Sequence, residues 1–188
     1  MSIRQGLLAL LEGGPRYGYE LRAEFESRTG GTWPLNVGQV YTTLSRLERD
    51  GLVEPAGEDD EGHVYYQLTD AGRAEVITWF ATPVRREARP RDELAIKLAM
   101  AVTVPDVDIV TVVQTQRTDT LRALQDYTRL KRDADNADLA WSLILESLIF
   151  QAEAEVRWLD HCETRLVRAR FEPDREKALR RKAKDVPR

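Results

Sequence analysis

The run GQVYTTLSRLERDGLV, Gly38 to Val53, constrains the fold more than any other part of this chain. Wound at about 100° per residue, Val37, Val40, Tyr41, Leu44 and Leu47 collect on one side of a helix, which is its core side. Gln39, Thr42, Thr43, Arg46 and Arg49 collect on the other, in steps of three and four residues. Asn36 is the expected N-cap, and Asp50-Gly51 closes the end.

Two shorter helices precede it. Ile3 to Glu12 is apolar and ends at Gly13-Gly14-Pro15. In YGYELRAEFESRTGG, Tyr17, Leu21 and Phe25 recur at four-residue spacing until Gly30-Gly31 stops the helix. After Leu52-Val53-Glu54 comes a hydrophilic turn, Gly57 to Gly62, and then HVYYQLT, which reads as the second strand of a small hairpin. Three helices and a two-stranded wing make a winged helix-turn-helix. A further helix opens at Asp70 with Thr69 or Asp70 as its N-cap.

The segment Thr82 to Arg91, TPVRREARPR, is the expected domain boundary. Beyond it the pattern is helical: Asp92 to Val102, Asp106 to about Asp133, and Asp138 to about Arg170. Leu145, Leu148, Ala152, Val156, Leu159 and Leu166 form an apolar stripe on the last helix, widened by Trp141 and Ile149. Its complement is Ile109, Val113, Leu121, Leu124 and Leu130. Helices this long usually pack on a partner, so a dimerising helical hairpin is expected. The fold class is therefore mainly α with a small β-wing. Residues 1–81 form the winged helix-turn-helix, 82–171 a C-terminal helical dimerisation domain, and 172–188 a charged, flexible tail.

Net charge is −4, which does not advertise a nucleic-acid binder. Residues 1–80 hold seven Arg and no Lys against thirteen Asp and Glu, net −6. Any DNA contact therefore needs a local basic surface, and the third helix offers one. Arginine forks onto guanine, glutamine onto adenine, and threonine donates to phosphate or touches a thymine methyl. A solvated outer face is equally the rule for amphipathic helices, so spacing alone leaves both readings open.

The residues WPLNVGQVYTTLSRLERDGLVE, followed by YYQLTDAGR and a long helical tail, resemble the PadR family of bacterial transcriptional regulators. The likeness spans Ile3 to about Phe80. It rests on an ordered Asn-x-Gly-x-x-Tyr-x-x-Leu-x-x-Leu-Glu-x-x-Gly-Leu, then Tyr-x-Leu-Thr-x-x-Gly. The resemblance implies a homodimeric repressor that binds palindromic double-stranded operator DNA and is released by a small aromatic or drug-like ligand. It implies that Tyr41 meets backbone phosphate, that Gln39, Thr42, Thr43 and Arg46 enter the major groove, and that Tyr17 to Tyr19 start the helix abutting the backbone. Asn36 and Arg49 complete the expected DNA-binding set.

The wing departs from the family. Family wings commonly carry Arg or Lys just before the Tyr-x-Leu-Thr strand, whereas Glu58, Asp59, Asp60 and Glu61 tip this one, with His63 the one nearby candidate cation. An acidic wing should not insert into a minor groove. Neutralising Asp59 and Asp60 is expected to tighten operator binding. The same acidity supports a rival reading, a winged-helix interaction module docking a basic protein partner.

Trp33, Trp79, Trp141 and Trp158 are candidates to line a ligand cavity, with Trp79 and Phe80 the favoured pair; core packing is the commoner fate of such residues. Asp160-His161-Cys162-Glu163 resembles a metal cluster only when written linearly, because helical neighbours diverge. No cofactor, metal or catalytic constellation is expected. Arg180-Arg181-Lys182 and Lys184 read as a solvated tail. The single Cys162 forbids an internal disulfide, and no apolar run is long enough for a membrane span, so a cytoplasmic, non-enzymatic protein is expected.

Overall fold

The first helix, α1 (Ser2–Leu10), tightens into a 3-10 turn at Leu11–Gly13 before the chain reverses. α2 (Gly18–Arg28) and α3 (Val37–Arg49) follow, then β1 (Val53–Glu58), β2 (Val64–Leu68) and α4 (Asp70–Ala81). The computed structural model describes residues 2–84, 92–134 and 138–184. The chain divides into two units, Met1–Glu87 and Ala88–Arg188.

In the first unit Leu7, Leu8, Leu21, Val40, Leu44 and Leu47 are fully buried in one cluster with Leu11, Leu35, Val53, Leu68 and Val76. Each such side chain contributes about 1.5–3 kcal/mol by leaving water. The caps are local chemistry. Asn36 Oδ1 accepts the Gly38 amide at 2.8 Å, and α3 ends in a Schellman motif, with Gly51 N–H donating to Glu48 O and Leu52 N–H to Leu47 O.

The wing strands pair antiparallel, Val53 opposite Leu68 and Glu54 opposite Gln67, with a register shift between Pro55 and Glu58. Arg16 joins them by a two-way backbone bridge to Tyr66, at 3.1 and 3.0 Å. At the other end, Thr69 caps α4 through Gly72 N–H at 3.1 Å and its hydroxyl donates to Gly51 O at 2.7 Å. Gly72 lies so close to β1 that a side chain there would overlap the Leu52 carbonyl. This explains the Leu-Thr-x-x-Gly spacing: the threonine hydroxyl and the bare glycine let α4 start directly on the end of α3.

The second unit holds α5 (Glu93–Ala101), α6 (Ile109–Asp133) and α7 (Leu139–Lys184). Asp92, Asp108 and Asp138 accept backbone amides at the three helix starts. α6 and α7 run antiparallel, as the pairs Arg117–Asp160 (2.6 Å), Thr120–Glu155 (2.6 Å) and Lys131–Glu146 (2.7 Å) require. Leu98, Val113 and Leu159 are the buried centre, flanked by Ile109, Trp158 and Leu166. Leu130, expected in the stripe, is half exposed near the end of α6.

α7 continues to Lys184 rather than ending near Arg170. The EKALRRKAK segment is made of good helix formers, so the helix persists beyond its apolar stripe. Residues 85–91 of the expected joint and 185–188 of the tail lie outside the described residues, as do the side chains of Arg180, Arg181, Lys182 and Lys184. Among the described residues no helix is long and apolar enough to cross a membrane.

Candidate nucleic-acid interface

α3 presents Gln39, Thr42, Arg46 and Arg49 to solvent, while Val40, Leu44 and Leu47 are buried beneath them. Thr43 is only partly exposed, turned toward the flank of the stripe. The threonine hydroxyls are already used: Thr42 donates to Gly38 O at 2.8 Å and Thr43 to Gln39 O at 2.7 Å. In this arrangement the back-bonding leaves the threonines a methyl and an acceptor to offer a groove. Asn36 has likewise spent its oxygen on the cap and keeps its amide N–H groups.

The two arginines are not equivalent. Arg49 donates to Asp50 Oδ1 through both Nε (3.2 Å) and Nη2 (3.0 Å), and Arg4 reaches the other Asp50 oxygen at 3.3 Å. These pairs hold the Asp50 carboxyl below its ordinary range, Arg49 being the larger cause. Among the described residues Arg46 has no ion-pair partner. It is therefore the cation on this face most available to an incoming anion.

Tyr41 was expected on the core side of α3, yet it remains 38% exposed. Its ring lies over Gly18, where an added methyl would sit 2.7 Å from Cζ. The bare glycine thus lets the start of α2 approach α3, with Tyr41 between them and Tyr19, 57% exposed, alongside. Tyr17 takes a different path: its ring stacks on His63 (centroids 4.6 Å apart) and tilts against Tyr65 (5.4 Å). Burial and then Glu20, Asp59 and Glu61 push the Tyr17 hydroxyl upward, marking this edge as electronegative.

The turn between α2 and α3 depends on Glu26, which spacing did not reveal. Its Oε1 accepts the Leu35 amide at 2.9 Å and the Arg22 guanidinium at 3.0 Å, and the Leu35 bond is the main reason its carboxyl sits below the ordinary range. A lowered folded value means this stabilisation is complete above the ordinary carboxylate value and is lost as pH falls from there through the lowered folded value. Acid titration followed by tryptophan fluorescence should therefore loosen the first unit in that window. In Glu26→Gln the response should be shallower; an unchanged curve would remove Glu26 from the account.

The wing tip also differs from its reading as four interchangeable charges. Asp59 Oδ1 accepts the Glu61 (3.0 Å) and His63 (2.9 Å) amides, and its Oδ2 lies 2.9 Å from His63 Nδ1. The His63 backbone bond is the largest of the effects that lower the Asp59 carboxyl. Asp59 therefore shapes the turn, and neutralising it would disturb the wing as well as its charge. Asp60 and Glu61 are exposed and carry the charge without that duty.

The tryptophans do not share one cavity. Trp33 and Trp79 line a cavity of about 440 Å³ within the first unit, with Ile3, Gly6, Phe25 and Thr29. Trp158 lines another of similar volume within the second unit, where Leu98, Val113, His161, Cys162 and Arg165 also contribute. Trp141 belongs to neither. Phe80 tilts against Trp79 at 4.7 Å and is 71% exposed. Asp160 is paired with Arg117, whereas burial raises the Cys162 thiol in its apolar wall, so neighbours in sequence serve different surroundings.

Residues 7–77 match the model of the transcriptional regulator PadR-like family, and residues 90–167 match that of the virulence activator alpha C-terminal domain. Residues 7–77 are thus similar to the PadR-like domain, and residues 90–167 to the helical domain of the virulence activator. A similar curated relative is the probable transcriptional regulator Rv1176c of Mycobacterium tuberculosis, 26% identical over 180 residues, covering 85% of this chain and 95% of that one.

Among solved structures, Bacillus subtilis PadR in complex with operator DNA is similar at a TM-score of 0.66 and 19% identity, covering 86% of this chain and 97% of that one. The same protein in complex with p-coumaric acid gives 0.67 and 21%, covering 86% and 96%. The Vibrio cholerae virulence activator AphA gives 0.63 and 21%, covering 89% and 99%. These likenesses give the chain its fold: a winged helix with C-terminal helices. The Mycobacterium tuberculosis relative is described as a probable transcriptional regulator, and the Vibrio cholerae one as a virulence activator.

Proposed function

We propose that this chain is a PadR-like regulator, a cytoplasmic homodimeric repressor that grips palindromic operator DNA with α3 and is released by a small aromatic or drug-like ligand. The observation that carries the reading is the outward stripe of Gln39, Thr42 and Arg46 on a capped helix, with Arg46 unpaired among the described residues. Glutamine and arginine can each bond bidentately to a base edge in the major groove. The exposure of Tyr41 over Gly18, and of Tyr19 near the start of α2, supports contacts to backbone phosphate.

Dimerisation is supported by Leu139, Leu143 and Phe150, which leave α7 with exposed apolar surface. α7 is also 46 residues long, about 70 Å at about 1.5 Å per residue, against 25 residues for α6. A ligand role for the Trp33–Trp79 or Trp158 cavity fits the small-molecule volume range.

The test is a mobility shift with the DNA upstream of the protein's own gene. A salt-sensitive shift resisted by unrelated DNA supports the reading, and the absence of any shift at low salt contradicts it. The acidic wing gives a further expected outcome. Asp60→Asn with Glu61→Gln should tighten operator binding about two- to threefold at low salt, with the gain fading as screening rises. Unchanged affinity at low salt would show that the wing tip stays clear of the phosphates.

A further inference from the structure

His63 stands where the wing needs a cation, and its surroundings fix how its ring is presented. It is one of two histidines in the chain, the other being His161 in the second unit. Its imidazole stacks on Tyr17 at 4.6 Å and 26°, which ties the wing to the first turn of α2. Nδ1 lies 2.9 Å from Asp59 Oδ2 and 3.8 Å from Glu61 Oε2. Asp59 is itself fixed by two backbone amides, so the ring cannot turn without losing a preformed acceptor.

This arrangement sets the tautomer. An ionised Asp59 keeps the hydrogen on Nδ1, so a neutral ring carries a lone pair on Nε2, and a proton added there converts Nε2 into a donor. The side chain is 35% exposed. The groups in contact with it are Asp59 and Glu61 of the wing and Tyr17 at the start of α2, with Glu20 and Tyr65 next to Tyr17. All are anionic or neutral. The guanidinium of neighbouring Arg16 extends instead toward Gly13.

We propose that His63 is a proton-linked DNA contact of the wing, held by Asp59, which acts as its positioning residue. The inference rests on the DNA-binding reading above. A neutral His63 leaves the wing tip purely acidic and repelled by phosphate. A phosphate that approaches favours imidazolium, whose Nε2–H then donates to the phosphate oxygen. One proton is taken up from solvent with each wing that docks, so operator affinity should rise as pH falls across the histidine range. A single linked proton limits the change to about tenfold per pH unit.

The experiment is fluorescence anisotropy on labelled operator at fixed ionic strength between about pH 8 and about pH 6. Circular dichroism at each pH ensures that folded proteins are compared. The wild type should tighten about fivefold or more per wing. His63→Gln should bind weakly with no pH slope, His63→Arg tightly with no slope, and His161→Gln should keep the wild-type slope. Asp59→Asn should reduce the slope. A wild type without a slope, or a slope retained in folded His63→Gln, overturns the proposal while leaving DNA binding intact. A wild type that binds no operator at either pH overturns both readings.

Discussion

Arg46→Ala is expected to weaken operator binding by about ten- to a hundredfold, the range for losing a bidentate base contact, while leaving the melting temperature unchanged. The fold should not register the change, because Arg46 is exposed and unpaired among the described residues. Arg49→Ala should cost less, since its guanidinium is already shared with Asp50. Anisotropy titration of the two variants orders them. Equal losses would mean that Asp50 releases Arg49 on binding, and no loss for Arg46→Ala would place the interface elsewhere.

Gly72→Ala should have the largest effect on stability. A methyl there cannot coexist with the Leu52 carbonyl, and Leu68 closes the side at 3.0 Å. Relief requires α4 to withdraw, breaking the Thr69–Gly51 and Thr69–Gly72 bonds and uncovering Val76. A loss of about 3 kcal/mol or more is expected for such backbone overpacking. For a unit of this size that lowers the melting temperature by more than about 10 °C. Thermal unfolding monitored by circular dichroism checks this, and a variant melting within about 2 °C of wild type would contradict the packing described.

What could be read from the sequence was local. The Asn36 cap, the Gly51 stop and the apolar stripe of α3 are written in adjacent residues, and each governs only its own helix. The same holds for the α6–α7 stripes, whose three- and four-residue steps survive in the buried Val113, Leu145, Ala152 and Leu159. The polar face of α3 was legible as a face; its chemistry was not. That Arg49 is engaged and Arg46 unpaired follows from Asp50 and Arg4, and Arg4 lies on a different helix.

Contacts between distant segments were illegible for the same reason. Nothing in YGYEL announces that Tyr17 stacks on His63, or that Gly18 is bare to admit Tyr41. Glu26 reads as an ordinary surface carboxylate until the turn brings the Leu35 amide to it. Four tryptophans in one chain suggested a shared cavity, whereas packing divides three of them between two cavities in separate units.

The central claim is that a net-acidic domain draws most of its attraction for DNA from one narrow face. It is tested most directly by measuring operator affinity against salt concentration for the wild type and Arg46→Ala. The account predicts a linear fall of log affinity with log salt for the wild type, steep enough to report several displaced counterions at about 0.9 per phosphate contacted. It predicts weaker binding at every salt concentration for Arg46→Ala, with relaxed discrimination against mutated operator half-sites. Superimposable wild-type and variant lines, with equal affinity for operator and unrelated DNA, would contradict it.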